Sequence, residues 1–122
     1  MIMPEESHLL LSRHDDITVV GFNDATILDA YHVNEVAQEL YQLIEKDGCR
    51  KLVLDLGTIK ILSSQTLGVL LNMRQKLAPL DGKVVISGID PRLYRVFKVT
   101  KLQDIFEFYD TSAAAVSALR QL

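Results

Sequence analysis

The chain is poor in the residues that cross-link or anchor a small protein. Its one cysteine, Cys49, cannot form a disulfide within the chain, and no Cys/His spacing suits a structural zinc, so no metal is expected. That usage fits a reducing cytoplasm. No apolar run approaches the ~20 residues of a membrane-spanning helix. Residues 1–7 carry two glutamates and no basic start followed by an apolar run, so they do not read as a signal peptide. A soluble, cytoplasmic protein without membrane insertion is therefore expected. Cationic excess is missing too. A net charge of −3 offers phosphate backbones and anionic lipid no general attraction, which disfavours direct nucleic-acid binding. The phosphate-loop and dinucleotide glycine patterns are absent, as is the Gly-x-Ser-x-Gly elbow of serine hydrolases. What remains as default partner is another protein or a small molecule.

With 122 residues, 48% of them apolar, the chain suits a single domain, 1–122, with residues 1–7 expected to be flexible. Leu9-Leu10-Leu11, the polar pair Asp15-Asp16 and residues 17–22 (ITVVGF) read as a hairpin. From Val33 the period becomes helical, with Val36, Ala37, Leu40, Leu43 and Ile44 on one stripe, ending at Asp47-Gly48. Residues 51–56 (KLVLDL) form a short, nearly continuous apolar run, as in a central strand covered on both faces. Ser63-Ser64 precedes Leu67, Leu70, Leu71, Met73 and Leu77, which predicts a second helix from the serines to just before Pro79. Residues 83–87 read as a strand, and Pro91 suits the first position of a third helix bearing Leu93, Val96 and Phe97. Residues 105–109 are expected to form a last strand. Asp110, Thr111 or Ser112 would then cap a final helix with Ala115, Val116 and Leu119 inward. The resulting β-β-α-β-α-β-α-β-α order predicts an α/β fold: a mixed, mostly parallel sheet with an N-terminal hairpin and about four helices packed against it.

The most informative stretch is residues 55–71, DLGTIKILSSQTLGVLL, in which a buried strand leads through a loop to serines at a helix start, then Leu-Gly and more aliphatics. This order resembles the STAS family, whose bacterial members include the anti-sigma-factor antagonists. Residues 96–102 and 105–109 also resemble the family's third helix and last strand, so the likeness covers nearly the whole chain. The family's acceptor serine usually lies in Asp-Ser-Ser/Thr-Gly-Leu-Gly. Aligned on Leu67-Gly68, the acceptor is Ser64, with Ser63 in place of the aspartate and Thr66 in place of the first glycine. The first departure removes a kinase contact, and the second adds a β-branched side chain where partner backbone would approach.

The resemblance implies a phosphoprotein that works by partner switching in sigma-factor regulation, and so in regulation of transcription. Unphosphorylated, it would bind an anti-sigma factor that is also an ATP-using serine kinase. Phosphorylation at Ser64 would release it, and a PP2C-type phosphatase would restore it. The docking surface is then expected to include Leu62, Ser63, Gln65, Thr66 and Leu67, with Asp24 and Asp29 as polar contacts from the loop before the first helix. No catalysis and no cofactor are implied. The chemistry of the site agrees, because unpaired N–H groups and the dipole at a helix start favour an anion. A second reading keeps the fold but makes the chain a STAS subunit of a membrane transport complex, or a scaffold in a sensory assembly, without phosphorylation control.

Other residues carry plainer readings. Taken without the resemblance, Ser63 and Ser64 are first of all helix caps. Asp55, at a strand end without an acidic or histidine partner in sequence, reads as structural rather than catalytic. His8, His14 and His32 lack ligand spacing. Arg92, Arg95, Lys98 and Lys101 recur every third residue on the third helix. They read first as a solvated face and second as a strip suited to an acidic partner surface or a phosphate. Cys49, beside Arg50-Lys51, reads as a passive cysteine at a strand start.

Overall fold

A computed structural model describes residues 8–23, 28 and 32–122. The hairpin is present as β1 (Leu9–His14) and β2 (Ile17–Phe22), joined through Asp15, which takes a left-handed φ of 60° at the tight turn. Then follow α1 (Val33–Glu45), β3 (Lys51–Asp55), α2 (Ser64–Leu77), β4 (Lys83–Ser87), α3 (Pro91–Val99), β5 (Phe108–Tyr109) and α4 (Ser112–Arg120). The sheet order is β1-β2-β3-β4-β5, antiparallel only between β1 and β2, so β3 is central as its unbroken apolar run requires.

Strands laid down in chain order by crossovers of one hand place the crossover helices on one face. That face carries the larger core. Val20, Phe22, Leu52, Leu54, Val84 and Ile86 pack there against Leu40 and Ile44 of α1, Leu70 and Met73 of α2, and Phe97 of α3. Alternate strand residues Ile17, Val19, Val53 and Val85 point the other way. These are covered by α4, which follows the last strand and so is free to cross to the second face, through Ala115, Val116 and Leu119. Pro91 stands at the start of α3 as expected, and Asp90 caps that helix by accepting the Arg92 N–H at 2.8 Å.

The last strand is shorter than the sequence predicts. Only Phe108 and Tyr109 pair with β4, while residues 102–104 form a 3₁₀ turn and Ile105 is exposed. The apolar run at 105–109 reflects aromatic packing instead of a full ladder. Phe97 makes edge-on contacts with Phe106 and Phe108, with ring centroids 6.3 and 5.2 Å apart, and Tyr94 meets Phe108 at 4.9 Å.

Candidate functional site

The serine pair sits where β3 ends and α2 begins, and the loop between them is tied down at each end. At the β3 end, Asp55 accepts the Gly57 N–H at 2.9 Å through Oδ1 and the Ser112 hydroxyl at 3.1 Å through Oδ2. Ser112 also meets Ser87, fully buried on β4, at 2.9 Å. The carboxylate thus joins the start of the loop to the start of α4, a structural role. Gly88 closes around the same oxygen. Its φ of +67° and a space in which a Cβ would lie 3.0 Å from Asp55 Oδ1 both favour glycine. Further along, the Thr58 hydroxyl donates to the Phe22 carbonyl at 3.0 Å, and Ile59 is buried beneath the loop. Lys60 and Ile61 face solvent, Ile61 at 59% exposure.

At the α2 end the anchor is Leu28, which forms a lone parallel bridge with Leu62. Its carbonyl accepts the Ser63 N–H at 3.0 Å and the Thr66 hydroxyl at 2.9 Å. Ser63, with extended backbone, is the N-cap, and its Oγ accepts the Thr66 N–H at 3.3 Å. Thr66 has one hydroxyl hydrogen, already directed at Leu28, so at the 3.2 Å contact between the two hydroxyls Ser63 is the donor. Both of these hydroxyls are therefore occupied inside the protein.

Ser64 differs. It is the first residue of α2, it is exposed, and its side chain makes no hydrogen bond among the described residues. The two adjacent serines have separate tasks: Ser63 caps the helix, and Ser64 is displayed. Leu62 and Ser63 are half-buried and Gln65 is exposed, so these three surround Ser64 at the surface. Thr66 and Leu67 do not. At 3% and 5% exposure their side chains face the core, so they support the surface from beneath and are not part of it. The threonine turns inward because its hydroxyl finds a carbonyl there, whereas the sequence alone placed it towards a partner. Asp24 and Asp29 lie outside the described residues.

The cap and the anchor should be measurable separately from any partner. Ser63→Ala is expected to lower stability by about 1 kcal/mol, the usual cost of an N-cap. Thr66→Val, which keeps the shape but removes the donor to Leu28, should cost about as much through a buried carbonyl deprived of one partner. Urea midpoints check both, and unchanged midpoints would mean that these bonds do not hold the α2 start.

Reading residues singly missed three contributors: Leu28, Ser87 and Ser112. Leu28 lies in a connection without period, and nothing local announces that its carbonyl receives two donors. Sequence offers Ser112 only as one of three possible caps of the last helix, a task that falls to Thr111, which accepts the Ala114 N–H at 3.1 Å. Among the described residues no cluster of His, Cys, Asp and Glu could hold a metal ion, and no helix is long and apolar enough to cross a membrane. Cys49 is buried, its Sγ 3.5 Å from the Thr18 hydroxyl.

The profile of the STAS domain family matches residues 8–115. Over 96 residues the chain is 35% identical to an anti-sigma-B factor antagonist of Listeria monocytogenes, covering 77% of each chain. The fold matches the crystal structure of an anti-sigma factor antagonist from Mycobacterium paratuberculosis with a TM-score of 0.81 and 24% identity, covering 98% of this chain and 99% of that one. It also matches the Bacillus cell fate determinant SpoIIAA in its phosphorylated form, with a TM-score of 0.68 and 15% identity over 91% of this chain and 98% of the other.

Proposed function

We propose, since this chain belongs to the STAS domain family, that it is an anti-sigma-factor antagonist whose partner switch is thrown at Ser64. The family's anti-sigma-factor antagonists are regulatory and non-catalytic, so the chain acts as ligand and substrate and not as an enzyme. Unphosphorylated, it binds an anti-sigma factor that is also a serine kinase, which frees the sigma factor for transcription. The kinase transfers the γ-phosphoryl group of ATP to Ser64, the complex separates, and a PP2C-type phosphatase removes the phosphate in the cytoplasm.

One observation carries this reading: Ser64 presents an exposed, uncommitted hydroxyl at the first turn of α2, while its neighbour Ser63 holds the cap. A phosphate there adds about −1.5 to −2 charges, next to backbone N–H groups that tolerate an anion, so the domain can keep its shape. The partner cannot ignore it. In a close interface the same charge meets desolvation and repulsion, and each ~1.4 kcal/mol is a factor of ten in affinity. Leu62, Ser63 and Gln65 make the near part of the docking surface, and Asp24 and Asp29, outside the described residues, are assigned to it by the family resemblance alone.

The family's Asp before the acceptor is Ser63 here, so the residue beside Ser64 is neutral and brings no carboxylate to the kinase. Three hydroxyls compete for modification: Ser63, Ser64 and Thr66. Incubation with the host's anti-sigma factor kinase and ATP, followed by peptide mass spectrometry, is expected to find phosphate on Ser64 and none on buried Thr66. Phosphate confined to Ser63, or none on this peptide, would overturn the assignment.

A further inference from the structure

The third helix and the turn that follows it, where Lys101 lies, bear an arrangement that a switch at Ser64 does not use. Residues 91–101 contain four cations, Arg92, Arg95, Lys98 and Lys101, and no acidic residue, in a chain whose net charge is −3. Arg92 is held by Asp90, with Nη2 to Oδ2 at 3.3 Å. Arg95, Lys98 and Lys101 are exposed and make no ion pair among the described residues. Beside them stands Val99, whose 76% exposure is the highest among the described large apolar side chains that face solvent.

Helical spacing puts Arg95, Lys98 and Val99 on one face, since residues three and four apart are neighbours. A shallow groove of about 480 Å³ runs along that face, lined by Pro91, Tyr94, Arg95, Lys98 and Val99. The helix dipole accounts for a lysine in the last turn. It does not account for Arg95 in mid-helix, for three uncompensated like charges in series, or for a valine left in water.

We propose that Arg95, Lys98, Val99 and Lys101 form a docking strip for an acidic segment of a partner protein. Carboxylates of that segment meet the three cations, and an apolar side chain between them packs on Val99 and Tyr94. Positive charge on an otherwise acidic chain selects the sign of the partner, and the exposed valine selects a segment with an apolar residue over a purely acidic one. A lipid surface fits less well, because a nine-residue helix with one projecting valine has little to insert.

The test uses the full chain, labelled with ¹⁵N, and a synthetic helical peptide in which glutamates flank a central leucine. The amides of Arg95, Lys98, Val99 and Lys101 should shift on titration. Affinity should fall at least about tenfold as salt shortens the screening length from about 10 Å towards 3 Å. Arg95→Glu with Lys98→Glu should weaken binding by at least tenfold, Arg95→Gln with Lys98→Gln by less, and Val99→Ser by about threefold, with helical content retained. Shifts confined to other elements, full affinity in both double variants, or binding to vesicles of phosphatidylcholine and phosphatidylglycerol in preference to the peptide would each overturn the strip. None of these readouts involves phosphate on Ser64, so the strip and the switch can fail independently.

Discussion

Ser64→Asp is expected to weaken the complex with the anti-sigma factor by about 30-fold or more, while Ser64→Ala binds as tightly as the unmodified chain and is never released. The estimate follows from the cost of placing an unpaired charge in a desolvated interface, about 2 kcal/mol or more, converted at ~1.4 kcal/mol per factor of ten. Aspartate carries less charge than phosphate, so the phosphorylated chain should lose more. Folding stability should move the other way or not at all. An acidic side chain in the first turn of α2 interacts favourably with the helix dipole, by roughly 0.3–1 kcal/mol. Calorimetric titration with the anti-sigma factor, paired with urea unfolding, separates the two effects. Equal affinity of the alanine and aspartate variants would remove Ser64 from the switch. Weak binding with a matching loss of stability would instead mean that the substitution had damaged the helix start.

The largest expected effect on stability lies away from the serine. Phe97 is fully buried where α3 meets β5, and its ring makes edge contacts with Phe106 and Phe108. Phe97→Ala should cost about 3–5 kcal/mol, the sum of lost transfer energy and the cavity left behind. A domain of this size has only about 5–15 kcal/mol in total, so the variant should be marginally folded at room temperature. Phe97→Leu, which keeps most of the volume, should lose much less. The expected result is a lower urea midpoint with an unchanged slope. A midpoint within error of the unmodified chain would mean that the aromatic cluster is not what docks β5. Because β5 contributes only Phe108 and Tyr109 to the sheet, little ladder hydrogen bonding is available to replace that packing.

Local pattern made much of this protein legible. The 3.6-residue stripe from Val33, Pro91 at the opening of α3 and the serines before Leu67 each encode an element through contacts a few residues apart, which sequence spacing reports directly. The resemblance carried by residues 55–71 then located Ser64. Whether that serine was displayed or spent as a cap was not readable, because both tasks suit a serine at a helix start. The choice was made by Thr66, whose hydroxyl reaches the Leu28 carbonyl across 38 positions of sequence and leaves Ser63 to cap α2. Packing between elements also bears on the last strand, where Phe106 stays outside the ladder and both it and Phe108, which pairs with β4, meet Phe97 on α3. Periodicity records which face of an element is apolar. Which particular hydroxyl or ring meets it from elsewhere in the chain is settled only when the elements pack.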